Sequence, residues 1–125
     1  NAGPHAIWHN DGTGRWVRRS GLATFTPHRS PLGLTFAKRQ LTEFAGGAFV
    51  LAYSAGGNAP QTYMPDLDPG EDLSFICLTP QPTDAGFTAT VTQLVHGFKG
   101  PTDAELVGKT LYVIEHRRRA IWRLR

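Results

Sequence analysis

The sequence predicts an all-β protein, and three observations predict it. Short runs rich in Val, Ile, Leu, Phe, Thr and Trp recur with period-two alternation along the whole chain. Turn residues separate them at short intervals: Gly 14 and Pro 9 among 125 residues, the two poorest helix formers. No stretch carries a convincing helical period, since the best candidate, Phe36 to Phe44, is short and has no capping residue. Short strands at this spacing build a sandwich, a barrel or a segment of a propeller.

The elements follow in order. Ala6–His9 and Arg15–Arg18 read as a strand pair, joined through the tight connection around Asp11-Gly12 and Gly14. Leu22–Thr26 is the next strand. Pro27-His28-Arg29-Ser30-Pro31 then forms a stiff connection whose prolines display a His–Arg pair at little entropic cost. Gly33–Ala37 and the strongly apolar Ala48–Ser54 come next. Gly56–Asp72, rich in Gly, Pro, Asn and Asp, reads as a long irregular surface loop.

The remaining strands are Leu73–Leu78, Thr88–Leu94, Ala104–Val107, Thr110–Glu115 and Ala120–Leu124. Arg117-Arg118-Arg119 sits where the last hairpin turns. With Arg123 and Arg125 it makes a basic patch, and Trp122 faces the opposite side. An internal echo links two regions. Gly33–Phe36 followed by Ala48–Ala52, and Thr102–Leu106 followed by Thr110–Ile114, both read as a short strand, a turn and a strongly apolar strand.

Composition narrows the function. At 13.7 kDa the chain is one domain in size. Hydrophobic residues at 40% against 18% charged describe a chain with a core, not a disordered segment. The net charge of +3 is too small for a nucleic-acid binder, and no aromatic stacking platform shares a face with the arginines. No apolar run approaches the ~18 residues of a membrane-spanning helix. The start at Asn1-Ala2-Gly3-Pro4, without Met, reads as a processed end or a piece of a longer polypeptide.

Chemistry-bearing residues are few. Cys77 is alone, so there is no internal disulfide and no cysteine-based zinc site; between Ile76 and Leu78 it reads as a buried structural thiol. His5 and His9 stand four apart, but on a strand that spacing is ~13 Å, too far for one metal ion. Ser30, Ser54 and Ser74 lack a nucleophile elbow, and Gly12-Thr13-Gly14 lacks the helix that a phosphate loop needs.

One family resembles these segments. Pro27-His28-Arg29-Ser30-Pro31-Leu32-Gly33-Leu34-Thr35-Phe36 is similar to the H-S-A-P-L-G-L-x-F segment of the glucose/sorbosone dehydrogenases. These are six-bladed β-propellers that use pyrroloquinoline quinone (PQQ), often with calcium. Gly47–Ser54 looks like the family's following strand and Leu73–Pro80 like the next. Gly100-Pro101-Thr102-Asp103, Leu111-Tyr112-Val113 and Ile121-Trp122-Arg123-Leu124 resemble its closing pattern R-P-x-D, L-Y-V, I-x-R-I.

The resemblance spans about residues 27–125 and implies roughly two propeller blades, incomplete alone and completed by further chain or by association. Residues 1–26 would end a preceding blade, 27–99 would form one blade, and 100–125 would supply closing strands. It also implies a periplasmic or secreted quinoprotein that oxidises a sugar or aldose, with PQQ and calcium as cofactors. Other propeller blades or subunits would be its partners. His28, Arg29 and Lys99 would lie on the cofactor-facing side.

The departures are specific. Ala55-Gly56-Gly57 stands where the family carries Trp-Asn-Arg, and Gly100, preceded by Lys99, stands where it commonly carries Arg. The family's catalytic base and calcium ligands belong to earlier blades, absent from this chain. These departures support a second expectation, a non-catalytic propeller subunit or segment with an assembly or ligand-binding role.

Overall fold

The computed structural model describes residues 7–10, 16–19, 30–38, 41–53, 70–80 and 87–125. Among them are nine strands and one short 3-10 turn: β1 (Ile7–Asn10), β2 (Trp16–Arg19), β3 (Pro31–Phe36), the turn Thr42–Phe44, β4 (Gly47–Ala52), β5 (Asp72–Pro80), β6 (Phe87–His96), β7 (Pro101–Val107), β8 (Thr110–Glu115) and β9 (Ala120–Leu124). The all-β expectation holds. Each sheet is an antiparallel meander in chain order: β1-β2, then β3-β4-β5-β6, then β7-β8-β9.

β4 is one of the two inner strands of the largest sheet. Its sequence GAFVLA is buried along its full length, as an uninterrupted apolar run predicts for a strand covered on both faces. Phe49 and Leu51 pair across to Phe75 and Leu73 of β5, so these four side chains share one face. That face packs on the second sheet, where Ala104 and Leu106 of β7 and Leu111 and Val113 of β8 point inward. Phe44, from the 3-10 turn, closes this core with its ring 5.2 Å from Phe49 and 4.9 Å from Phe75.

The leading strands of the two sheets lie against each other, β3 on β7. Gly33 is what lets them approach. A Cβ there would sit 3.1 Å from Asp103 Cα and 3.2 Å from Thr102 O. Both leading strands also carry a register irregularity at their start, Pro31/Gly33 in β3 and Pro101/Asp103 in β7. The internal echo therefore corresponds to the first hairpin of each sheet, β3–β4 and β7–β8.

Several expectations change at their edges. β7 begins at Pro101, three residues before the expected start; proline is tolerated there because a first strand residue can forgo the N–H. Asp72, expected in the long surface loop, opens β5 and is fully buried. Phe36–Phe44 contributes only the one turn Thr42–Phe44, without a side-chain cap. Cys77 is half-buried rather than fully so. Leu22–Thr26 and most of the segment from Gly56 lie outside the described residues.

Candidate functional site

Both sheets end together at one pole, where β4 finishes, β5 starts, β6 hands over to β7, and β8 turns into β9. The handover Gly97–Gly100 is held on two sides. On one side Phe98 N–H donates to Glu71 O at 3.0 Å. On the other, it is laced to the β8–β9 turn: His116 N–H donates to Gly100 O at 2.9 Å and Arg117 N–H to Lys99 O at 3.1 Å.

Two carboxylates organise the charges here. Glu71 takes the Lys99 ammonium on one oxygen at 2.7 Å and the Arg117 guanidinium on the other at 3.1 Å. Its own backbone is left-handed, φ 53°, a conformation that a non-glycine residue holds only when its surroundings fix it. Arg117 also stacks over the Tyr53 ring, 5.3 Å from its centroid. Gly100, at φ 65°, presses on that same ring; a Cβ there would lie 2.7 Å from Tyr53 Cε2.

Glu115 is the second. It lies on the inward parity of β8 with Leu111 and Val113, and it is fully buried. Its Oε1 accepts from the Lys99 backbone N–H and from Arg118, the latter at 3.0 Å. Its Oε2 accepts from the Trp122 indole at 2.8 Å. Burial alone would push its pKa up. The bonds from Trp122 and Lys99 and the charge and hydrogen bond of Arg118 outweigh it, and the pKa lies below the ordinary 4.5. Arg118 also reaches Gly97 O at 3.3 Å, closing the lacing around the handover.

The three sequence-derived site residues fare differently. Lys99 sits at this pole with its side chain committed to Glu71 and its backbone to Glu115 and Arg117. His28 and Arg29 lie outside the described residues. Ser30, next in the chain, is at this same pole, its carbonyl accepting the Tyr53 N–H at 3.0 Å. Glu71 and Glu115 were not singled out from sequence. Glu115 left a legible signal, an acid at an inward position of an alternating strand, whereas Glu71 left none.

This arrangement fixes geometry more than it transfers protons. Both oxygens of each carboxylate are occupied by donors, and Glu115 is held ionised, so it is not poised as a general acid or base near neutral pH. A cofactor rich in carboxylates would meet Lys99 and Arg117 here, half-exposed, and would have to share them with Glu71. Among the described residues no three of His, Cys, Asp and Glu converge as a metal ion would need. Comparison with protein-family models, with curated proteins and with solved structures returned no match for this chain.

Proposed function

We propose that the chain contributes consecutive blades to a β-propeller and that its role there is assembly. One observation carries this reading: each of the two larger sheets turns an apolar surface outward. Leu32, Leu34 and Phe36 alternate along β3 and are exposed, and Tyr112, Ile114 and Ile121 do the same across β8 and β9. A propeller covers such surfaces with the next sheet on either side. The lacing of the Gly97–Gly100 handover supports the reading, because it fixes the angle between successive sheets. Further blades, from more of the same polypeptide or from associated chains, would complete the ring.

Native mass spectrometry followed by denaturation tests it. A native mass several times 13.7 kDa, or a complex with a second polypeptide, is the expected result. A stable 13.7 kDa monomer would sink it and leave a small sandwich or barrel.

A second reading keeps the pole as the cofactor-facing side of a quinoprotein sugar dehydrogenase. It is favoured by the placement of Lys99 and Ser30 at one end of the sheets. The protein would then orient PQQ, which supplies the redox chemistry, and calcium would draw ligands from beyond the described residues. Aldose oxidation that requires added quinone, stops on chelation and is lost in His28→Ala would establish it. Activity unchanged in His28→Ala would remove His28 from the site.

A further inference from the structure

We propose that the cleft between the two larger sheets binds a small amphipathic anion, a medium-chain monocarboxylate. The cleft opens where β3 leads into β4 and β7 into β8, and none of its lining residues belongs to the outward apolar faces on which the propeller reading rests, so the proposal is independent of that reading. It encloses about 480 Å³, within the range of small-molecule sites. Its floor is the protein core itself: Phe49, Leu73, Leu106 and Leu111 are all buried, and all line it. Phe44 forms one wall, fixed by its edge contact with Phe75.

The rim supplies the charge. Lys109, on the β7–β8 turn, and Arg125, after β9, both border the opening, with Glu43 as the acid beside them. Among the described residues the ion pairs are made by Lys38, Lys99, Arg117 and Arg118, and neither Lys109 nor Arg125 forms one with a described carboxylate, Glu43 included. An apolar hollow beneath a rim of two cations and one acid, with a positive excess, matches an alkyl chain carrying a single carboxylate. A sugar does not match it, because its hydroxyls would lose water against leucine and phenylalanine without gaining partners.

The test is titration of the full chain with decanoate and with decanol, followed by methyl NMR. Saturable shifts at Leu73, Leu106 and Leu111, with decanoate the tighter ligand by about fivefold, are expected from two rim ion pairs. The double variant Lys109→Ala/Arg125→Ala changes only exposed side chains. It should bring decanoate down to the affinity of decanol while leaving the spectrum dispersed. The proposal is overturned by absence of saturable shifts, by shifts scattered away from the cleft, by equal affinity for the two ligands, or by a double variant that binds decanoate unchanged.

Discussion

Trp122 reaches diagonally across the last hairpin to Glu115. Its direct partner on β8 is Val113, and that of Glu115 on β9 is Ala120, yet indole and carboxylate meet at 2.8 Å on the inner face. The indole also stands edge-on to Phe98, centroids 6.3 Å apart, so one side chain satisfies a buried charge and packs on the handover between the sheets.

Removing either partner should therefore be felt. Glu115→Gln turns an acceptor-only group into one that presents an amide N–H toward its donors, and a loss of about 2 kcal/mol is expected. Trp122→Phe keeps the ring but drops one donor, costing about 1 kcal/mol. Urea denaturation midpoints of the two variants against the parent chain give the comparison.

The same carboxylate sets a pH dependence. Its pKa is lower folded than unfolded, so its stabilisation is complete above the ordinary value of 4.5 and is lost as pH falls through the depressed folded value. The stability gap between the parent chain and Glu115→Gln should be constant near neutrality and shrink in acid. Denaturation midpoints from pH 7 downward report it; a gap that widens in acid would reverse the sign of the shift.

Gly100 and Gly108 separate two effects of glycine. Both are left-handed, at φ 65° and 60°, but only Gly100 has a neighbour where a Cβ would go. Gly108→Ala should cost about 1 kcal/mol, the backbone penalty alone. Gly100→Ala should cost more, because Tyr53 must also move, and Tyr53→Ala should remove the excess. Thermal unfolding of the three variants and the double variant forms the cycle.

Lys99→Ala should lose less than about 1 kcal/mol, since its side chain is half-exposed and its partner Glu71 keeps Arg117. The loss should fade with added salt. Midpoints at low and high ionic strength measure both.

Phe44→Ala opens the aromatic cluster at the mouth of the cleft. A loss of about 2 kcal/mol is expected, below that of a fully buried phenylalanine because Phe44 is half-exposed. The denaturation midpoint is again the readout.

Strand existence was legible because alternation is a local property. Thr110–Glu115 and Ala120–Leu124 match residue for residue, bracketed by the turn that the arginines marked. The sequence starts β7 too late because Pro101-Thr102-Asp103 carries turn chemistry, and the extra length depends on pairing with β8 across a register irregularity. In the candidate site Lys99 and the arginines of the last turn were legible as residues, but their partners were not. What Lys99 does depends on Glu71, and nothing local announces that a residue 28 positions away will share its charge. Likewise, the distinctive Pro31-Leu32-Gly33 invites a ligand reading by sequence. In the fold its glycine serves the contact with β7.

β6 ends the larger sheet among the described residues, paired to β5 on one side. From Phe87 to Val95 it carries no charge, no proline and no glycine, and threonines fill much of it. From Thr90 to Val95 no strand among the described residues pairs with its outer edge, so that row of amide and carbonyl groups is a template on which an extended segment can register, with none of the gatekeeper residues that interrupt such pairing. Association between copies at high concentration would therefore start at this edge, by the same backbone pairing that builds the sheet.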